Sequence, residues 1–221
     1  MNKVAILCVL KMGGYYQPCH VVQLQDMIRK HVTVPYSFYC MTDSLCDPLF
    51  PKIQLRHGWE GWWSKIEMFD PVYQIKEDHI VYFDLDTVIL DNIDDLMNHQ
   101  HPIIGLKPFN KYKRKINGYM ASGMLGWKND GTLKYLADEF EYKKDTLEYQ
   151  GDQDYITEKL GEHKIHPVYW QELVDGIGSF KRNVHFKKQH PFRVVCFHGE
   201  PRPDLKLINQ LKRAYENPNR K

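Results

Sequence analysis

The chain has 221 residues, with 30 Lys and Arg against 28 Asp and Glu, a net charge of +2. That length can bury a core without disulfide staples, and the near balance of charge excludes nucleic-acid binding argued from overall basicity. Five cysteines without C-x-x-C spacing read as reduced thiols, neither a disulfide frame nor a zinc site; Cys8, Cys40 and Cys196 lie in apolar runs, Cys19 at a helix start and Cys46 in a loop.

In chain order, Val4–Leu10 is an apolar strand followed by the loop signal Gly13-Gly14. Pro18 opens an amphipathic helix with Val21, Leu24 and Ile28 on one face. Tyr36–Met41 and Lys52–Leu55 are further strands, and Ser64-Lys65-Ile66-Glu67 has the spacing of a capping box starting a brief helix that stops before Pro71. His79–Phe83 is a strand, Asp91–His99 a short helix and Pro102–Leu106 another strand. The polar loop Phe109–Tyr119 leads to the strand Met120–Trp127. Helices are expected over Thr132–Tyr142 and Asp152–Leu160, a last strand over Arg193–Phe197, a closing helix over Asp204–Tyr215 and a frayed tail from Asn217. Alternating strands and helices predict an α/β sandwich with a mainly parallel sheet, whose ligands sit beyond the carboxyl ends of the strands. Met1-Asn2-Lys3 runs directly into a strand and no apolar run reaches the ~18–20 residues of a bilayer span, so a cytoplasmic protein without a transmembrane segment is expected.

The strongest chemical signal is where Val81-Tyr82-Phe83 runs into Asp84-Leu85-Asp86. Side chains two apart on a strand share a face. Two carboxylates so placed repel unless a cation lies between them, and their oxygens suit a hard divalent ion, Mn²⁺ or Mg²⁺, carrying phosphates.

In this layout the chain resembles the GT-A fold nucleotide-sugar glycosyltransferases, nearest to glycogenin and the bacterial lipopolysaccharide galactosyl- and glucosyltransferases. The resemblance is carried in order by Ser64-Lys65, Asp84-Leu85-Asp86 with the following Asn92–Leu96, Ala121-Ser122-Gly123, Gly151-Asp152-Gln153 and Phe197-His198-Gly199-Glu200-Pro201-Arg202-Pro203, over roughly residues 1–205. Three positions depart from the family pattern: Ala121 stands where Asn is usual, Tyr149 where an Asp is common, and His198 is adjacent to Gly199.

The resemblance implies one GT-A domain over 1–221, a Rossmann-like α/β/α sandwich with a nucleotide-binding half of about 1–100, an acceptor half of about 101–205 and a C-terminal helix and tail from 204. It implies a metal-dependent hexosyltransferase moving a sugar from a nucleoside diphosphate donor, UDP in the leading case, to an acceptor hydroxyl, with retention at the anomeric carbon one expected outcome. Asp84, Asp86 and His198 are the expected metal ligands. Tyr15 (or Tyr16), Lys65, Asp84, Gly199 and Arg202 would hold the donor, and Asp152 with Gln153 would stand at the reacting carbon. Asp152 also competes for the plainer role of helix N-cap, and Trp59, Trp62 and Trp63 divide between packing and sugar stacking. The basic groups Lys107, Lys111, Lys113, Arg114, Lys115 and Lys181, Arg182, Lys187, Lys188 are either solvated loops or a clamp for an anionic acceptor, whether a glycan, a lipid-linked phosphate or, as the least expected partner, nucleic acid.

Two rivals stand beside this reading. Asp84-Leu85-Asp86-Thr87-Val88 also satisfies the first motif of haloacid-dehalogenase-type phosphatases, although there it normally opens the chain. A non-catalytic nucleotide-sugar or carbohydrate-binding module is the other.

Overall fold

The computed structural model describes residues 3–45, 49–70, 75–184 and 191–216. Cys46, Pro71, Lys187, Lys188 and the tail from 217 lie outside the described residues.

Val4–Leu10 forms β1, buried along its whole length. Its alternate side chains serve two cores: Ile6, Cys8 and Leu10 join one hydrophobic cluster, Ala5, Leu7 and Val9 another. A strand covered on both faces reads as an unbroken apolar run instead of an alternation. Helix α1, Pro18–His31, begins with proline in its first turn and buries Val21, Leu24 and Ile28 against the Ile6 face. Each such side chain contributes about 1.5–3 kcal/mol on burial.

Around β1 lie β2 (Ser37–Thr42), β3 (Lys52–Gln54), β4 (His79–Phe83), β6 (Ile104–Leu106), β7 (Ala121–Lys128) and β8 (Val168–Tyr169) in the order β3-β2-β1-β4-β7-β6-β8. Only β7 runs against its neighbours; the remaining pairs are parallel. The architecture is thus α/β, with a seven-stranded, mostly parallel sheet flanked by helices. From β1 the chain builds outward through β2 and β3 on one side, while β4 pairs with β1 on the other. The crevice beyond the ends of β1 and β4 is therefore a topological switch point, where open α/β sheets bind ligands.

A second sheet, absent from the sequence expectations, joins β5 (Thr87–Ile89), β10 (Val194–Cys196) and β9 (Ile177–Ser179) in the order β5-β10-β9. The closing helix, Leu205–Glu216, packs Leu211 onto Val88, Leu90, Val195 and Phe197 of this layer. Strands of three residues are too short to show a period.

Three local expectations need correction. No capping box forms at Ser64: the segment Gly61–Phe69 is 3₁₀ and has Glu60 at its N-cap. Ser64 Oγ instead donates to the Gly61 carbonyl, and Glu67 accepts the backbone N–H groups of Arg56 and His57. The helix expected over Thr132–Tyr142 divides into α2, Tyr135–Asp138, and α3, Tyr142–Glu148. The break lets Phe140 turn inward against Trp59, Trp63 and Tyr155, while Asp145 caps the Glu141 N–H of α3 at 2.8 Å. Finally, Asp84 and Asp86 do not alternate along a strand. β4 ends at Phe83, and the Thr87 N–H donates to the Asp84 carbonyl at 3.0 Å, so the pair sits on a tight turn between β4 and β5.

Candidate functional site

The turn after β4 and the loop after β1 face each other across the switch-point crevice and enclose a cavity of about 290 Å³. Tyr15, Tyr16, Lys65, Asp84, Asp86 and Arg202 all line it. The structure thus gathers five of the expected donor and metal residues from parts of the chain far apart in sequence.

Asp86 is nearly buried. Its Oδ2 accepts from the Tyr16 hydroxyl at 3.0 Å and lies 3.3 Å from Arg202 Nη1, which also bonds Tyr16. Burial, then the neighbouring Asp84 charge, push the Asp86 carboxyl up to about 7. Arg202 lies over both tyrosine rings, at 5.5 Å from Tyr15 and 5.2 Å from Tyr16. Its Nε makes no hydrogen bond among the described residues and lies 3.6 Å from the exposed Glu200 carboxylate. Tyr15 is about half exposed at the rim.

Asp84 belongs to a second, deeper network. Its Oδ1 accepts from Tyr82 Oη at 2.5 Å and from Lys65 Nζ at 3.2 Å. Lys65 also reaches Asp152 Oδ2 at 2.9 Å and Ser122 Oγ at 3.2 Å, and Ser122 donates to Asp152 at 2.5 Å. Burial alone would lower the Lys65 ammonium; the Asp152 and Asp84 carboxylates outweigh it and hold it above its ordinary value. A Cβ on Gly123 would stand 3.3 Å from Asp84 Oδ2, closer than ordinary contact, so glycine leaves that carboxylate its room. Asp152 is not the N-cap of α4, Asp152–Glu162; Gly151 is. The carboxylate is free of capping because it is held inward by Lys65.

The donor set can be tested against a divalent cation. Two carboxylates line the cavity, and burial with the Asp84 charge disfavours ionisation of Asp86, a penalty that a cation would relieve. Among the described residues no group of three or more His, Cys, Asp or Glu comes together to hold a metal. The residues therefore fit an ion held by one or two carboxylates and completed by phosphate oxygens and water, the usual state of Mg²⁺ at nucleotides; they do not form a self-sufficient metal cage. Burial, then Asp86 and Asp84, push the Cys196 thiol well up, and a soft thiolate is mismatched to Mn²⁺ or Mg²⁺.

His198 and Gln153 line a different, second cavity of about 340 Å³, together with Phe109, Tyr119, Lys181 and Arg182. His198 packs against Phe109, and burial lowers its imidazole below the ordinary value. Gly199 follows His198 in the chain and has φ of 68°, in the left-handed region that favours glycine.

The expected basic clamp is partly committed elsewhere. Lys107 pairs with Glu172 at 2.6 Å and Lys113 with Asp154 at 2.7 Å, while Arg114 bonds the Pro108 carbonyl. Trp63 is packed in the core, whereas Trp62 is exposed at the first cavity. Sequence reasoning missed Tyr82 and Ser122 as site residues. The only signal for Tyr82 was its place two before Asp84; Ser122 had none apart from its place in Ala121-Ser122-Gly123. Among the described residues no helix is long and apolar enough to cross a membrane.

No protein-family model matches the chain, and no curated protein matches it.

Proposed function

We propose that this chain is a metal-dependent glycosyltransferase that moves a sugar from a nucleoside diphosphate donor, UDP in the leading case, to an acceptor hydroxyl. The observation that carries the reading is the first cavity itself: a paired Asp84 and Asp86 facing Arg202 and two tyrosines, at the switch point of a mostly parallel sheet. In transfer the acceptor oxygen bonds the anomeric carbon, the bond from that carbon to the diphosphate breaks, and the nucleoside diphosphate leaves with the electron pair. Negative charge therefore grows on the departing phosphate. A cation held by Asp84 and Asp86, Mn²⁺ or Mg²⁺, would neutralise part of that charge when bound. Arg202 would donate to a phosphate oxygen, its planar fork of N–H groups matching phosphate geometry. Tyr15 offers a half-exposed ring on which a base can stack. Lys65 holds Asp152 and Asp84 in one arrangement, so the Asp152 side chain reaches the reaction already oriented.

A screen of nucleotide sugars for metal-dependent hydrolysis tests the reading. Asp86→Ala should weaken Mn²⁺-dependent UDP binding by calorimetry at least by the ~10–100-fold that loss of an outer-shell partner costs, with the fold retained. Unchanged affinity refutes the assignment. Cleavage of p-nitrophenyl phosphate without action on UDP-sugars would instead favour a phosphatase using Asp84, and UDP binding without hydrolysis would favour a binding module.

A further inference from the structure

We propose that the second cavity binds a phosphate monoester carried by the acceptor saccharide, with Lys181 and Arg182 meeting the phosphate and Ser179 donating to it. The word acceptor rests on the transferase reading; the phosphate rests on the chemistry of the cavity alone.

Three cations line this cavity, Lys113, Lys181 and Arg182, and among the described residues no carboxylate does. Lys113 is neutralised by Asp154 at 2.7 Å. No described residue pairs with Lys181 or Arg182. An independent observation comes from β9. Ser179 is wholly buried and lines the cavity, yet its Oγ has no hydrogen-bond partner among the described residues. A buried polar group left unsatisfied costs about 1–3 kcal/mol, and a phosphate oxygen accepting from Oγ removes that cost. Two unpaired cations match the charge of a dianion, and the Arg182 fork spans two phosphate oxygens. Phe109 adds a flat apolar wall for a sugar ring. The volume of about 340 Å³ suits a monosaccharide phosphate.

The cavity also adjoins the donor site through neighbouring residues. Gln153 lines it, while Asp152 binds Lys65 of the first cavity. Ala121 lines it, while Ser122 donates to that same Asp152. Lys181 Nζ lies 3.8 Å from where a Cβ on Gly199 would be. An acceptor anchored by its phosphate here presents a hydroxyl toward the Asp152–Gln153 seam.

Calorimetry on the full chain, with a panel of hexose and heptose phosphates, their parent sugars, inorganic phosphate and a short single-stranded oligonucleotide, tests the proposal. At least one sugar phosphate should bind about tenfold tighter than both its parent sugar and inorganic phosphate, that is by about 1.4 kcal/mol. The Lys181→Gln/Arg182→Gln double variant should lose that preference, and Ser179→Ala should weaken it severalfold, while Mn²⁺-dependent UDP binding stays within about twofold. The proposal is overturned if no sugar phosphate outbinds its parent, if inorganic phosphate or the oligonucleotide binds as well, or if the double variant keeps the preference. Loss of UDP binding in the unsubstituted chain, with sugar-phosphate binding intact, would remove the donor reading and leave this anion site standing.

Discussion

At Asp86 three influences compete: burial and the Asp84 charge disfavour its ionised form, while Tyr16 and Arg202 support it. The balance lies with the first two, so the residue is held in a state that costs stability unless a cation arrives. Arg202 offsets part of this charge in the ligand-free state and is then placed to follow the charge onto a departing diphosphate. Because that charge develops mainly as the bond breaks, Arg202→Ala should lower kcat on the order of 100-fold, as loss of one donor to a developing anion does elsewhere, with a smaller change in donor Kd. Steady-state kinetics beside calorimetry checks this; equal losses in both would mean that Arg202 binds only the ground state. Asp84 and Asp86 were legible from their spacing in the sequence. Their contacts with Tyr16 and Lys65 were not, because those join positions 70 and 19 residues apart.

At the scale of elements, the 3₁₀ segment Gly61–Phe69, the end of β4, the start of β7 and the start of α4 converge on one ammonium group. Lys65 joins Asp84, Ser122 and Asp152, with its own side chain 10% exposed and that of Asp152 8%. Removing one partner from a buried charge cluster strands the others, at about 3–5 kcal/mol. Lys65→Met should therefore lower unfolding free energy by that amount in urea titrations, and adding Asp152→Asn should recover part of it. If Lys65→Met alone is neutral, the cluster does not hold these elements together. The long elements β1, α1, β4 and β7 could be expected from apolar pattern and from proline at the helix start. The second sheet and the division of the 132–148 region could not, since each depends on residues such as Phe140 and Val195 finding partners distant in the chain.

Across the whole molecule, acid stability is tied to His79, wholly buried at the start of β4. Burial lowers its imidazole from 6.5 to about 4. Between those values the unfolded chain takes up a proton that the folded chain refuses, so stability rises with pH across this window and is lost as pH falls through it. At 1.36 kcal/mol per pH unit the full effect is about 3 kcal/mol. Asp86, pushed up to about 7, contributes the opposite slope over the same range, so the His79 part is read by difference: urea midpoints from pH 4.5 to 7 should rise less with pH, or fall more steeply, in His79→Leu than in the unsubstituted protein. Equal slopes would assign acid sensitivity to other groups.

The sequence by itself determined the α/β class and the β1–α1 unit, because a continuous apolar run and a 3.6-residue period are local patterns. It also marked Asp84 and Asp86 as an unusual acidic pair at the end of a buried strand. Tertiary structure alone decided that the pair rides a turn, that Lys65 is spent on holding Asp152, and that His198 and Gln153 belong to a separate cavity. Those outcomes depend on which distant charges and rings meet, and on how strand order brings the ends of β1 and β4 together. No short-range pattern encodes that meeting.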